Sequence, residues 1–266
     1  MQKYLLMKNL VSIIIPFYNR VSSVERAINS ALIQTYKNKE IILINDCSND
    51  SIENIKKLVE KHKELNLFSN QKNLGASYSR NIGMRFANGE FIAFLDSDDE
   101  WLSFKLDVQI NYMIKNKIDI SYTSYLRKIS KNNKINIIRV GKNHRIPFLA
   151  FKCDIATPTV VVRKRITKDF LFNTEINFGE DVIYWYEIGK KFRIFAINIP
   201  TTIVNISNNS SSNNLSKQKK GFENINKYLF KRKKILGLIH KIYFELNIFF
   251  KRLMIFFKNH IFKCSL

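Results

Sequence analysis

The chain is short of acid, glycine, proline and cysteine. Its 266 residues hold 22 Asp and Glu against 44 Lys and Arg, with 8 Gly, 4 Pro and 3 Cys. So few glycines and prolines argue against a loop-rich or fibrous architecture. The cysteines, at positions 47, 153 and 264, are odd in number, far apart and in no C-x-x-C spacing, which points to a reducing compartment and to no zinc site. No uncharged apolar run approaches the roughly 20 residues that a bilayer span requires. The opening MQKYLLMKNLVSIIIPFYN has a faint likeness to a signal peptide, but its apolar segment runs into a strand and turn without a small-residue cleavage site, so it is read as part of the fold.

What is present is a hydrophobic fraction of 45%, enough for a packed core, in a length that suits one substantial domain or one domain with a helical extension. The net charge of +22 is uneven. Residues 217–266 hold 13 Lys and Arg against 2 Asp and Glu, so about a fifth of the chain supplies half of the excess. A basic tail on a less basic domain follows.

Short apolar runs alternate with helical patterns over the first 125 residues. VSIIIPF (11–17) reads as a strand that Pro16 ends, and EIILIND (40–46) as a second. A short strand is expected near 65–69, FIAFLD (91–96) reads as another, and IDISYT (118–123) as another again. Between them Val24, Ala27, Ile28, Ala31 and Leu32 recur at the three- and four-residue steps of an amphipathic helix, as do Ile52, Ile55, Leu58 and Val59. NLGASYSRNIGMRFANG (73–89) reads as a helix opening near Gly75 and closing at Gly89, and Leu102, Leu106 and Ile110 begin another. This alternation predicts a mostly parallel sheet with helices on both faces, an architecture that binds ligands beyond the carboxyl ends of its strands. Residues 126–160 are less regular apart from a strand at TPTVVVRK (157–164). NFGEDVIYWYEIGKK (177–191) reads as a turn opening a helix, and IFAINIPTTIVNI (194–206) as a strand broken at Pro200. Residues 207–221 form a polar, low-complexity linker. Beyond it, 222–258 is an amphipathic helical pattern that can pack on the domain or lie in a membrane interface.

Four of the scarce acids, Asp96, Asp98, Asp99 and Glu100, fall within five positions at the end of the FIAFLD strand. Asp96-Ser97-Asp98 sets two carboxylates two residues apart where the strand ends, so a bend can bring both to one hard divalent cation such as Mg²⁺ or Mn²⁺ that bridges to phosphates. An ordinary acidic turn accounts for the same residues, and an aspartyl phosphatase also begins at D-x-D, though it would want Thr or Val where Asp99, Glu100 and Trp101 stand.

Five segments in order, PFYNR (16–20), INDCSND (44–50), NLGASYSRNIG (73–83), GEFIAFLDSDDEW (89–101) and FGED (178–181), resemble glycosyltransferase family 2, the inverting nucleotide-sugar transferases of the Rossmann-like GT-A fold. The likeness covers about residues 10–205. It implies a GT-A domain over 1–206, with a nucleotide-binding half at about 10–125 and an acceptor half at about 126–206. The linker 207–221 and a basic amphipathic helical tail over 222–266 follow. Residue by residue, the resemblance gives Tyr18 the place that packs on the nucleotide base and Pro16 backbone contacts to it. It gives Asp46 the hydrogen bond from the uracil N–H, and Arg80 a place near base and diphosphate. Asp96 lies nearer the ribose, beside Ser97, and Asp98 is the principal ligand of Mn²⁺ or Mg²⁺. Asp99 and Glu100 are expected as turn and helix-start acids. In the Glu180-Asp181 pair a carboxylate, Asp181 before Glu180, takes the proton of the acceptor hydroxyl.

One departure stands out. Ser207 falls where many relatives carry a His that helps bind metal or diphosphate, a gap that a nearby Asn or water can fill. The implied partners are a nucleotide-sugar donor (a UDP-sugar), a glycan or lipid-linked acceptor of the lipopolysaccharide or capsule kind, and an anionic membrane reached through the basic helix. The implied location is the cytoplasm, at the inner face of the cytoplasmic membrane, with no nucleic acid. The Q-x-x-R-W motif of processive synthases is absent, so one sugar is transferred at a time. The competing readings are a non-transferring relative, a sugar nucleotidyltransferase, and a nucleic-acid-binding protein using the basic tail.

Overall fold

The computed structural model describes residues 9–131, 134–141, 155–206, 215–232 and 241–242. The first strand, β1 (Val11–Phe17), is buried at every position. Its isoleucines serve two cores. Ile13 and Ile15 meet helices α1 (Val21–Leu32) and α2 (Glu53–Lys61) on one face, and Ile14 meets α3 (Ala76–Phe86) on the other. A strand covered on both faces reads as a continuous apolar run, which is why VSIII lacks alternation.

β2 (Lys39–Asn45), β3 (Leu65–Ser69) and β4 (Phe91–Phe94) complete a parallel half-sheet in the order β3-β2-β1-β4. Beyond β4 the sheet is mixed, so the expected parallel character holds for this half alone. Among the described residues it continues through β8 (Val161–Arg163), β6 (Ile120–Ile129), β9 (Phe195–Ile206) and the two-residue β5 (Glu100–Trp101), with β7 (Lys134–Ile138) as a hairpin partner of β6. Only β6 and β9 are parallel to each other in this second half.

The first strand keeps its expected bounds of 11–17, whereas the expected break at Pro200 is absent. β1 continues one residue past Pro16, because the missing donor of Pro16 points to the β4 side, where pairing has already stopped at Ile14–Phe94. β9 passes through Pro200 unbroken. The register with β6 shifts around Ser124, so that the bulge absorbs the proline.

Helices α4 (Lys105–Lys115), α5 (Lys164–Thr167) and α6 (Glu180–Gly189) cover the sheet. Helix α7 (Leu215–Arg232) starts inside the segment expected as linker, so 215–221 is helical. α7 packs on α6 through Tyr186, Leu229, Ile225 and Tyr228, and Asn224 Nδ2 donates to the Phe178 carbonyl (3.1 Å). Ser207, the rest of the linker, Cys153, Cys264 and the tail beyond Arg232, apart from 241–242, lie outside the described residues. No helix among the described residues is long and apolar enough to cross a membrane.

Close contact between α3 and β1 requires glycine at 83, where a Cβ would stand 2.4 Å from Ile14 Cγ2. Alanine is the better helix former by about 1 kcal/mol, yet overpacking a fixed core costs about 1–3 kcal/mol. The overpacking term wins, and Gly83→Ala is expected to lower the urea midpoint. An unchanged or raised midpoint would show that the interface between α3 and β1 is looser than described.

Candidate active site

The carboxyl ends of β2, β1 and β4 open into one crevice. Chain direction departs from β1 to β2 on one side and to β4 on the other, the switch point at which open α/β sheets bind ligands. The Asp46 N–H donates to the Phe17 carbonyl (2.8 Å) and the Leu95 N–H to the Ile14 carbonyl (3.0 Å), so the segments that follow these strands start side by side. Pro16, Tyr18, Asp46 and the 96–98 turn are thereby brought together although they come from distant parts of the sequence. The carbonyl of Pro16, on the same side as its missing donor, faces the fork between β1 and β4. Tyr18 is 40% exposed at its rim.

Asp46 is buried, and its carboxylate is committed. Oδ1 accepts from Asn70 Nδ2 (2.8 Å) and the Leu74 N–H (3.0 Å), and Oδ2 from the Gly75 N–H (2.7 Å). Gly75 is the N-cap of α3 with φ +87°, a conformation that L side chains avoid. Asp46 therefore fixes the start of the helix that carries Arg80, in addition to the role that resemblance implies.

Arg80 is buried, one turn into α3. Its Nη2 donates to Asp96 Oδ1 (2.7 Å), its Nη1 lies 3.6 Å from Glu180 Oε1, and its guanidinium sits 5.3 Å from the Phe172 ring centroid. Burial works against the charge, but Asp96 and Glu180 outweigh it and hold the guanidinium more firmly protonated than usual. Nε and Nη1 find no hydrogen-bond acceptor. A buried unmet donor costs about 1–3 kcal/mol, which an anionic ligand can relieve.

The 96–100 turn divides its acids by task. Asp98 Oδ2 accepts from Arg20 Nη1 (2.9 Å), and burial followed by Asp96 raises its pKa against that arginine. Arg20 is set there by a two-residue left-handed turn (Asn19 φ 55°, Arg20 φ 61°), fastened to the loop after β2 through Ser48, Asn49 and Asp50. Half-buried Ser97 separates the two acids. Asp99 and Glu100 are not helix-start acids, because α4 begins five residues further on, at Lys105. Asp99 is buried and accepts the Asn205 N–H (2.9 Å), with its pKa pushed well up by burial and then by Asp96 and Asp98. Glu100 lies in β5 and accepts from Asn205 Nδ2 (3.2 Å).

Sequence reasoning missed Asn205, Arg20, Asn70 and Phe172. Asn205 Nδ2 also donates to the Asp98 carbonyl (2.8 Å).

Glu180 and Asp181 open α6 behind Gly179, which is left-handed at φ +83°. Acids in a first turn suit the helix dipole, so this pair has a structural reason as well as a chemical one. Burial, then Asp181, pushes the Glu180 carboxyl up to about 7 against the pull of Arg80. Burial also raises Asp181, whose Oδ1 accepts the Val182 N–H (2.8 Å) and which makes no ion pair among the described residues.

A cation fits this donor set in one way. No cluster of three or more His, Cys, Asp or Glu among the described residues forms a metal cage. Asp96 and Asp98 each use one oxygen on an arginine, and the other oxygen bonds no second side chain among the described residues. Two hard oxygen ligands suit a Mg²⁺- or Mn²⁺-like ion whose remaining positions belong to phosphate and water.

A parallel α/β half-sheet with acids at its switch point and a carboxylate pair on a facing helix makes a candidate nucleotide-type site with a candidate general base. The chain belongs to glycosyl transferase family 2, whose model matches residues 12–178. It is 36% identical over 214 residues to an uncharacterized glycosyltransferase of Rickettsia felis, covering 80% of this chain but 35% of that protein, so the chain spans about a third of such relatives. It is 38% identical over 194 residues to the Escherichia coli UDP-Glc:alpha-D-GlcNAc-diphosphoundecaprenol beta-1,3-glucosyltransferase WfgD, covering 71% of this chain and 73% of that one. Among solved structures, Staphylococcus aureus TarS 1-349 in complex with UDP-GlcNAc superposes with a TM-score of 0.66 at 19% identity, over 83% of this chain and 66% of that one. That likeness establishes the GT-A fold.

Linkage gives the pair a measurable signature. The folded state holds the Glu180 proton up to about pH 7, against an ordinary value of 4.5. The stability this contributes is complete at low pH and is lost as pH rises from about 4.5 to about 7, by at most about 1.4 kcal/mol per pH unit. Glu180→Gln cannot ionise and escapes that loss. Urea denaturation should show the variant gaining on wild type between pH 5 and pH 8, whereas a constant difference would place Glu180 in an ordinary environment.

Proposed function

We propose that the protein is an inverting glycosyltransferase that moves one sugar from a nucleotide-sugar, a UDP-sugar, to a glycan or lipid-linked acceptor in surface-polysaccharide synthesis. One observation carries the reading: Arg80 joins Asp96, at the donor end of the sheet, to Glu180, beside the candidate base. The relative WfgD, named for UDP-Glc and a diphosphoundecaprenol acceptor, supports the choice of donor and acceptor class. The solved mannosyltransferase of Pyrobaculum calidifontis with GDP-Man and Mn²⁺, similar in fold at a TM-score of 0.58, supports a divalent ion.

In this reading Tyr18 packs on the base, Pro16 offers its carbonyl, and Asp46 sets the loop that meets the uracil edge. Asp96 and Ser97 lie toward the ribose, and Arg80 turns its unmet N–H groups to the diphosphate. Asp98, with Asp96, holds Mn²⁺ or Mg²⁺, which when bound offsets the charge of the departing diphosphate. Asp181, raised by burial and without an ion pair among the described residues, takes the proton of the acceptor hydroxyl while Glu180 stays with Arg80. The acceptor oxygen bonds the anomeric carbon from the face opposite the diphosphate, and the breaking C–O bond leaves its electron pair on UDP. The anomeric centre is inverted in that single displacement. The basic C-terminal segment provides peripheral contact with the inner face of the cytoplasmic membrane.

The test is a melting series with UDP, GDP, CDP and dTDP, each with and without Mn²⁺, on wild type and Asp98→Ala. A ligand at about 100 times its Kd adds roughly 2.7 kcal/mol. A Mn²⁺-dependent shift with UDP alone, absent in Asp98→Ala, is expected. No shift with any nucleotide would leave a relative that keeps the fold without turnover.

A further inference from the structure

Between Asp119 and Asp154 the chain has no acidic residue and eight Lys and Arg. The described part of this stretch is the β6–β7 hairpin. Ile135 and Ile137, two residues apart on β7, share a face and are 55% and 52% exposed. Ile137 stands opposite Leu126 and Ile135 opposite Lys128, so this face mixes exposed aliphatic surface with cationic charge. Lys131 lies in the turn and Arg139 just past β7, both exposed, and Arg127, Lys128, Lys131 and Arg139 meet no carboxylate among the described residues. Among the described residues, this strand edge is neither packed by its own domain nor balanced by its own acids.

We propose that the β6–β7 hairpin is a membrane-docking element that lays Ile135 and Ile137 into the interface of an anionic bilayer, with its lysines and arginines on the headgroups. Charge selects this occupant. A second copy of the same face would set cation against cation, whereas anionic lipid answers the charge and the apolar surface together. Single-stranded nucleic acid answers the charge alone, since the exposed hydrophobic side chains are aliphatic and give bases no ring to stack on.

The location of the patch adds a functional reason. Lys128 pairs with Asn205 on β9, and Asn205 holds the turn of Asp98 and Asp99. A bilayer on this hairpin is therefore one strand away from the proposed cation site, the placement needed for an acceptor carried on lipid. The contact is separate from the C-terminal segment and from the transfer chemistry, so its failure would leave the nucleotide experiment unaffected.

Ile137→Trp tests it directly, because the two native tryptophans, Trp101 and Trp185, are buried and shielded from lipid. The full chain is mixed with vesicles of brominated phosphatidylcholine, alone or with about a quarter phosphatidylglycerol, a charged surface attractive to basic segments. The new indole should shift to the blue and be quenched on the anionic vesicles only, and high salt should reverse both changes. Lys128→Glu with Lys131→Glu should weaken partitioning by about tenfold or more, with the UDP melting shift showing that the fold is kept. An indole that stays water-exposed while the protein sediments with vesicles through its C-terminal segment would overturn the proposal. So would a blue shift that tracks protein concentration without lipid, the mark of self-association, or partitioning unchanged by the two charge reversals.

Discussion

A buried guanidinium between two carboxylates governs this molecule. Arg80 could not be taken out of water without partners, since an uncompensated buried charge costs several kcal/mol. Asp96 at 2.7 Å, Glu180 at 3.6 Å and the face of Phe172 supply the compensation. Those partners come from the end of β4, the start of α6 and the segment leading to α6, so one side chain ties the parallel half-sheet to the helix of Glu180 and Asp181. Its own position is fixed from below. Asp46 pins the start of α3, and Gly83 lets α3 lie close on β1. Strand packing thus reaches the proposed reacting groups through a short chain of contacts.

The same electrostatics explains why a chain with twice as many cations as acids gathers carboxylates in one place. Burial first, and then repulsion from Asp96 and, for Asp99, from Asp98, raises the pKa of Asp98 and Asp99. The three acids coexist because Arg80, Arg20 and the Asn205 N–H each answer one of them. Part of the compensation is strained, since Asn19 and Arg20 both adopt a left-handed backbone that costs a non-glycine residue of order 1–3 kcal/mol. Expense of that kind is usual where the surroundings serve a ligand and not the fold alone.

Much of this was legible in the sequence. The strands around Ile13, Ile42 and Phe94 are fully buried and so read as apolar runs. The helices of the first half show their inner faces at three- and four-residue steps. Asp96 and Asp98 stood out because acids are rare, and Glu180 and Asp181 because FGED resembles the family's motif. Other parts had no local signal. The β6–β7 hairpin was hidden because RKISKNNKINII exposes both charge and isoleucine, which is neither a clean alternation nor an apolar run. The linker reading failed at Leu215 because the helix there depends on tertiary contact with Phe178 and Tyr186. Asp99 and Asn205 are 106 residues apart and meet only because β5 pairs with β9, so Asp99 was read as an acid of the next helix.

The central claim is that Arg80 couples the D-x-D turn to the helix of Glu180 and Asp181, and a double-mutant cycle measures it most directly. Unfolding free energies of wild type, Arg80→Met, Glu180→Gln and the double variant would be compared at pH 8, where the Glu180 carboxyl is ionised. Residues in one buried ion-pair network show interaction energies of about 0.5–3 kcal/mol, whereas independent sites add within about 0.5 kcal/mol. The account predicts a coupling above about 1 kcal/mol, with the double variant less destabilised than the two single changes summed. Additive effects would mean that the two halves of the site are held together by something other than this arginine.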